Sequence, residues 1–371
     1  MAVSGTIKLK REWHVGGRLD GGGFAPVHEA TGDDGTVAVV KLIPKEPGAA
    51  RELLFESLTN TVNVIPILDH GELEHEFIIV MPRADFSLRK YLLDHGNQLD
   101  QNEAVQILND IAASLNSLSK AVVHRDLKPE NILRYKGKWC LADFGIARYA
   151  EASTAPDTRK HSMTYQYGAP EQWRQERATS ATDIYALGVI AYELLEGIRP
   201  FIGPSSVDFR DQHLNQAPPR MIKATASLKS LVSDCLHKAP AARPTAANFI
   251  KRLQDSQRPA TPGIAVLQHV NQQIAEEQAE QSAKESARRS IEEMRTELFE
   301  VGKLILSRIV DELVERATQA APATQVMQKQ STHLSLRHGE LYIAPAKQVS
   351  EHTVSSGSTH GPFDVVAQGS I

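Results

Sequence analysis

The stretch His124-Arg125-Asp126-Leu127-Lys128-Pro129-Glu130-Asn131, with Asp143-Phe144-Gly145 downstream, decides how this chain folds. Asp126 can accept a proton from a hydroxyl group, and Lys128 can stabilise negative oxygen atoms. Asn131 and Asp143 offer the hard oxygen ligands that Mg²⁺ prefers. Because a tripeptide such as Asp-Phe-Gly is frequent by chance, its weight depends on the motifs that surround it.

Further motifs flank these strings in a fixed order. Before them come a Gly-rich turn at 20–27, a strand ending in Ala38-Val39-Val40-Lys41 and a helix candidate carrying Glu52. After them come Ala169-Pro170-Glu171, a helix start at 183–188 and Arg243-Pro244. An ordered series is far more specific than any member alone. Over residues 13–255 the sequence resembles the protein kinase superfamily, and Lys128-Pro129-Glu130 is similar to its bacterial and eukaryotic-like Ser/Thr members rather than to tyrosine kinases.

The resemblance implies an α+β fold with two lobes. We expect a small antiparallel β lobe with one helix over 13–81, a hinge at 82–84 and a larger helical lobe over 85–255, preceded by an N-terminal arm at 1–12. The local pattern agrees, since 36–43 is rich in β-branched residues and 32–35 is a turn signal. Apolar residues recur at helical spacing from Ala104 to Leu118.

The glycine-rich segment predicts a phosphate cover. A strand on each side of it distinguishes it from a dinucleotide fingerprint, in which a helix follows the glycines. Backbone N–H groups of Gly21, Gly22 and Gly23 can approach phosphates closely because no side chain intervenes. Asp20 and Ala25 stand where the family pattern has glycine.

The resemblance also implies an ATP site. Lys41 would pair with phosphate oxygens and be oriented by Glu52, with Glu56 as the alternative partner. The Pro82 carbonyl and the Ala84 N–H would bind adenine at the hinge. Proline lacks an N–H group, but this arrangement uses only its carbonyl. The remaining residues expected to contact the nucleotide are Leu19, Val27, Ala38, Met81 and Leu133.

Roles in catalysis follow from the same resemblance. Asp126 would act as the base toward the acceptor hydroxyl, and Lys128 would stabilise the γ-phosphate. Asn131 and Asp143 would bind Mg²⁺, or Mn²⁺ in its place. His124 is expected to pack and hydrogen-bond rather than to catalyse.

Other motif residues have regulatory or structural roles in this family. Arg125 would pair with a phosphorylated residue at Thr158, or second at Ser162, although an unmodified loop is an open alternative. Glu171 and Arg243 are expected to form a buried ion pair, and Asp183 to anchor backbone amides of the catalytic loop.

Composition excludes several classes of protein. The 371 residues carry a net charge of −4, so a nucleic-acid partner is not expected. Cys140 and Cys235 are the two cysteines, which argues against a disulfide framework and favours a reducing, cytoplasmic setting. The sequence has no apolar run of the roughly 18 residues that span a bilayer, so no membrane span is expected.

The C-terminal third has a different pattern. Residues 256–263 contain two prolines and predict a linker, and 264–318 predict one long amphipathic helix or a helix pair. Alanines recur every four residues from Ala275 to Ala287, and an apolar stripe continues from Ile291. This stripe needs a partner: a second copy, the kinase unit itself or another protein. For the tail at 319–371 we expect partial disorder with a small hairpin around His338-Gly339.

Three functions are compatible with these features. Lys41, Asp126, Asn131 and Asp143 favour an active Ser/Thr kinase with protein substrates. Departures at Asp20, Ala25 and Met163 leave a pseudokinase binding module as the alternative. A small-molecule phosphotransferase of related fold is third, because such enzymes usually lack the Ala-Pro-Glu element.

Overall fold

The computed structural model describes residues 5–19, 26–45, 61–73, 75–118, 122–143, 164–258, 262–328, 332–336, 339–343 and 369–370. These residues belong to two compact units, 1–286 and 287–371. The first unit begins with an antiparallel sheet of six strands in the order β1-β2-β3-β4-β6-β5. Its strands are β1 (Gly5–Lys8), β2 (Glu12–Leu19), β3 (Val27–Gly32), β4 (Val37–Pro44), β5 (Asp69–Glu72) and β6 (Glu76–Pro82).

One face of this sheet carries the core of the small lobe, because alternate side chains along each strand point the same way. The core consists of Ile7, Trp13, Val15, Ala30, Ala38, Val40, Leu42, Ile78 and Val80. Trp13 is fully buried, and its indole N–H donates to Asp69 at 2.9 Å. This hydrogen bond satisfies the one polar atom that the indole brings into the core.

The N-terminal arm predicted at 1–12 is corrected in part by the structure. Residues 5–8 form β1, which pairs with β2 so that Ile7 lies opposite Trp13. Ile7 is 8% exposed, and its burial against the core accounts for the extra strand. The helix predicted around Glu52 lies outside the described residues.

The larger lobe is mainly helical, as predicted. Its helices are α1 (Leu88–Asp94), α2 (Gln101–Leu118), α3 (Pro170–Trp173), α4 (Ser180–Glu196), α5 (Ser206–Asn215), α6 (Ala226–Cys235) and α7 (Ala246–Asp255). A hairpin of β7 (Ile132–Tyr135) and β8 (Lys138–Leu141) lies between α2 and α3 in the chain. Helix α4 is buried along most of its length. It approaches α6 closely at Gly188, where an added Cβ would lie 2.7 Å from that of Cys235.

The helix α8 (Pro262–Ala320) follows α7 and is continuous, which decides between the one-helix and two-helix alternatives. Within the first unit, Ala275, Ala279 and Ala283 are 3–5% exposed. These three alanines therefore pack on the large lobe. The stripe from Ile291, for which a partner was expected, belongs to the second unit.

The second unit contains the remainder of α8 and a four-stranded sheet. The sheet has the order β12-β11-β10-β9, with β9 (Gln325–Gln328), β10 (Thr332–Leu336), β11 (Gly339–Ile343) and β12 (Gly369–Ser370). β10 and β11 pair with Leu336 opposite Gly339, over the residues for which a hairpin was predicted. Among the helices that the structure describes, none combines the length and the apolar character needed to cross a membrane.

Candidate active site

One face of the small-lobe sheet carries three of the residues predicted to contact a nucleotide. Leu19 lies opposite Val27 in the sheet, and Val27 lies opposite Lys41. Directly opposed residues project to the same side of a sheet. Leu19, Val27 and Lys41 therefore share one face, which is opposite to the buried core described above.

Ala38 was predicted to contact the nucleotide, but the structure places its side chain on the core face of the sheet. It is 1% exposed and belongs to the core with Trp13 and Val40. Lys41 is three positions along the strand, so the two side chains point to opposite faces. Val39 is the residue that shares the Lys41 face, and it lies opposite Met81. Counting back from Lys41 in steps of two would have identified Val39 from the sequence.

The base of this site joins the two lobes. Met81 of β6 and Leu133 of β7 both pack against the buried cluster of Ile65, Cys140 and Ala142. The hinge follows directly, since β6 ends at Pro82 and Arg83 forms an ion pair with Glu29 at 2.7 Å. The nucleotide face of the small lobe and the first hairpin of the large lobe are thus held together by one apolar cluster.

Lys41 pairs with Asp143, with 2.5 Å between Nζ and the carboxylate. Asp143 has a φ of 58°, in the left-handed region that few residues other than glycine adopt. The Lys41 side chain is 17% exposed and that of Asp143 is 37% exposed. A strand of one lobe and the segment after β8 of the other thus place a cation and a carboxylate together. Glu52 and Glu56, the predicted partners of Lys41, lie outside the described residues.

The catalytic loop brings Asp126, Lys128, Asn131 and Thr164 into one hydrogen-bonded group. The Lys128 ammonium lies 3.0 Å from the Asp126 carboxylate and donates to the Thr164 hydroxyl at 2.9 Å. Thr164 in turn donates to Asp126 at 2.7 Å. The Asn131 amide N–H₂ donates to the Asp126 carbonyl at 2.9 Å, which leaves its amide oxygen for another partner.

Asp183 anchors the backbone of this loop by hydrogen bonds. Its two carboxylate oxygens accept the backbone N–H groups of His124 and Arg125, each at 2.8 Å. Burial raises the pKa of Asp183, although His124 and these two backbone hydrogen bonds oppose the rise. Arg125 has a φ of 67°, so the anchored loop, like the segment at Asp143, includes a residue in the left-handed region. The predicted scaffold role of Asp183 is confirmed.

His124 has the packing role that was predicted for it. It is 1% exposed, and its Nε2 lies 2.9 Å from the carbonyl of Ala142. Since a carbonyl only accepts, Nε2 carries the proton. This hydrogen bond ties the catalytic loop to the residue before Asp143.

Glu171 and Arg243 form the predicted buried ion pair. Two guanidinium nitrogens of Arg243 lie 2.7 and 2.9 Å from the two Glu171 oxygens. Both side chains are at most 2% exposed. Burial alone would raise the pKa of Glu171, but the hydrogen bonds and charge of Arg243 bring it below its usual value.

Sequence reasoning missed an ionic cluster around Arg89 of α1. Arg89 lies 2.9 Å from Glu130 and 3.0 Å from Glu193, and it also donates to the hydroxyl of Tyr167. Burial works against its charge, but Tyr167 and Glu193 more than offset this and raise the pKa of Arg89. The partners lie far apart in sequence, so no local pattern indicated the cluster.

Several predicted residues lie outside the described residues: Gly21, Gly22, Gly23, Thr158 and Ser162. Across the ranges that the structure does describe, there is no group of three or more His, Cys, Asp or Glu side chains that could hold a metal ion. Asn131 and Asp143 remain the two predicted metal ligands. Ala142 donates its N–H to the Asn131 carbonyl at 2.9 Å, so the two ligand-bearing segments are adjacent.

Comparison with known proteins agrees with this geometry. The family model described as Protein kinase domain matches residues 13–253. Serine/threonine-protein kinase PkaA of Streptomyces coelicolor is 32% identical over 271 residues, which cover 68% of this chain and 47% of the relative. A probable serine/threonine-protein kinase PknB of Lactococcus lactis is 33% identical over 181 residues, covering 48% of this chain and 29% of the relative. The chain thus spans less than half the length of these curated relatives.

Proposed function

This chain belongs to the protein kinase family, and on that premise we propose that it transfers the γ-phosphoryl group of ATP to serine and threonine hydroxyls of proteins. The observation that carries the proposal is the proximity of two groups of side chains. Lys41 meets Asp143, while Asp126, Lys128 and Asn131 form the neighbouring hydrogen-bonded loop. Phosphoryl transfer depends on such positioning and on charge stabilisation more than on covalent chemistry.

The loop residues can perform the transfer as follows. Asp126 accepts the proton of the acceptor hydroxyl as the general base, and Thr164 and Asn131 hold its carboxylate in place by hydrogen bonds. Lys128, within 3.0 Å of that carboxylate, stabilises the negative oxygens of the γ-phosphate. Lys41 binds the phosphates nearer the adenosine, and its rigid strand fixes where they lie.

Mg²⁺ fits the donor set of Asn131 and Asp143. One carboxylate and one amide oxygen are hard ligands, and Mg²⁺ commonly takes one or two protein ligands while water and phosphate complete its shell. The ion would neutralise charge on the β- and γ-phosphates during transfer. The protein holds both ligands through the contact of Asn131 with Asp126 and the strained backbone at Asp143.

Regulation by autophosphorylation is part of the proposal. Arg125 precedes the base Asp126, and the segment of sequence that follows Asp143 contains Thr158 and Ser162. A phosphate on either residue would give a guanidinium a charge-assisted partner. We expect Thr158→Ala to remove the phosphopeptide and to lower activity. An unchanged map with full activity would contradict this.

The test of the function is transfer of labelled phosphate from ATP to a generic protein, with nucleotide binding measured in parallel. We expect Asp126→Asn to lose transfer by about 10²-fold or more while it still binds ATP. Asp143→Asn should lose transfer, and its binding of ATP should no longer depend on Mg²⁺. If the wild-type protein binds ATP but transfers no phosphate, the pseudokinase alternative is correct.

Homodimerisation stays a prediction for the part of α8 beyond residue 286. The apolar side chains that are 38–72% exposed there are Ile291, Met294, Leu298, Val301, Leu304, Ile305, Ile309 and Leu313. Large exposed apolar stripes commonly bind a partner. Sedimentation should show a dimer that Leu298→Glu dissociates, and a wild-type monomer at all concentrations would exclude it.

A further inference from the structure

The first part of α8 is tied to the large lobe by polar contacts as well as by its alanines. Asn271 donates to the Ser230 hydroxyl of α6 at 2.7 Å, and Ser233 donates to the Ala275 carbonyl at 3.2 Å. Two turns further along α8, the backbone N–H of Lys238 donates to Ser282 at 3.1 Å. These contacts follow one face of the helix, so the docked part has a defined register on the lobe.

This register brings α8 to the residue that follows α3. Arg174, the residue directly after α3, donates from Nη2 to the Ser286 hydroxyl at 2.7 Å. Ser286 is 7% exposed. A hydrogen bond from a charged group at a buried position is stronger than one between neutral groups in water. The end of the docked part of α8 therefore holds one end of α3.

A second route leads from α8 to the same short helix. Lys238, whose N–H is bound by Ser282, accepts a hydrogen bond on its carbonyl from Arg243 at 3.1 Å. Arg243 forms the buried ion pair with Glu171, which belongs to α3. The helix α3 is thus linked to α8 at Arg174 directly and at Glu171 through one intermediate loop.

The helix α3 in turn contacts the catalytic loop. Gln172 donates to the Arg125 carbonyl at 2.8 Å, next to the base Asp126. Trp173 stacks on Tyr165 with 5.4 Å between ring centroids, and Tyr165 follows Thr164, which donates to Asp126. A shift of α3 would therefore move two groups that determine where the Asp126 carboxylate lies.

We propose that residues 271–286 of α8 position the catalytic loop through α3, and that Ser286 is the positioning residue at this contact. The inference rests on the proposed kinase activity and goes beyond it, because it assigns part of the C-terminal helix to the working enzyme. Ser286 is buried against Arg174 and is not one of the residues assigned to ATP or to the acceptor hydroxyl. It acts by restricting α3 to the arrangement in which Thr164 and Gln172 hold the loop.

The test compares Ser286→Ala with Ser286→Thr and with Ser307→Ala in the full-length chain. Ser286→Ala removes the acceptor, Ser286→Thr retains it, and Ser307 is an exposed serine of the same helix. We expect kcat of Ser286→Ala to fall about tenfold, the size of effect that losing one charge-assisted hydrogen bond supports, while KM for ATP is unchanged. Both other variants should keep wild-type kcat.

Amide hydrogen exchange supplies a readout that does not depend on activity. In Ser286→Ala, the amides of 164–176 should exchange faster, while those of α2 and α4 keep their protection. Unchanged kcat and exchange in an active wild-type background would overturn the inference. It would also be overturned if protection fell equally throughout the lobe, because the effect would then be general destabilisation. An inactive wild-type protein would instead refute the proposed function.

Discussion

Arg243 has more hydrogen-bond partners than Glu171. This difference predicts which substitution in the ion pair costs the lobe more stability. Besides the Glu171 carboxylate, Arg243 donates to the carbonyls of Ala181, His237 and Lys238 at 2.8–3.1 Å. Apart from Arg243, Glu171 accepts from the hydroxyl of Thr182 at 2.8 Å. The carboxylate therefore depends more on the pair than the guanidinium does.

The magnitude follows from which charge is left buried. Arg243→Met leaves the Glu171 carboxylate 2% exposed without its cation, and breaking a buried pair in this way costs about 3–5 kcal/mol. Glu171→Gln keeps an oxygen for Arg243, whose charge still meets three carbonyls, so we expect about 1–3 kcal/mol. The double variant should cost about 2 kcal/mol less than the sum of the single variants, because no unpaired charge remains.

The assay is urea unfolding followed by tryptophan fluorescence, with Trp173 two residues from Glu171 as a nearby probe. Lys90→Met is the matched control, since it breaks an exposed pair with Asp94 in the same unit and should cost at most about 0.5 kcal/mol. Equal costs for Arg243→Met and Glu171→Gln, or strictly additive costs in the double variant, would refute the reasoning.

Three further predictions concern pH, loop anchoring and the nucleotide face. Burial, with Lys238 adding to it, lowers the pKa of His213 to about 3, so the unfolded chain binds a proton that the folded chain excludes. Stability should thus be full above pH 6.5 and fall by about 3 kcal/mol by pH 4.5, and His213→Phe should remove most of that slope in urea titrations. Asp183→Asn replaces a carboxylate that accepts two backbone N–H groups, so kcat should drop about tenfold or more while KM for ATP is unchanged. An unchanged kcat in steady-state kinetics would mean that the anchor is dispensable. Val39→Phe should raise KM for ATP about tenfold by filling the nucleotide face, whereas Val37→Phe at the exposed strand start should leave it unaltered in the same assay.

The structural residues of the large lobe were predictable because they stand in motifs that resemble those of a known family. Asp183, Glu171 and Arg243 occupy the structural roles that this resemblance implied. The fold class followed from the same resemblance, and the strand and helix periods along the chain agreed with it.

The errors occur where a tertiary contact overrides a local pattern. Ala38 was misplaced because motif matching ignored that neighbouring strand residues alternate between faces. β1 was missed because Ile7 becomes buried through pairing with a strand that sequence cannot locate in space. The cluster around Arg89 joins Glu130, Tyr167 and Glu193 across the lobe, and no sequence period indicates such a contact.

The two halves of helix α8 differ in the size of their apolar side chains and in how far these are buried. In the docked half, alanines face the lobe, and their small side chains allow the helix backbone to come within hydrogen-bond distance of Ser233. Beyond residue 286 the stripe consists of larger side chains that remain 38–72% exposed. An alanine stripe buries little apolar area per residue, so it needs polar contacts such as Arg174 with Ser286 to fix its register. The same requirement makes that contact sensitive to a single missing hydroxyl, and this is how a change in the C-terminal helix would reach Asp126, the proposed base.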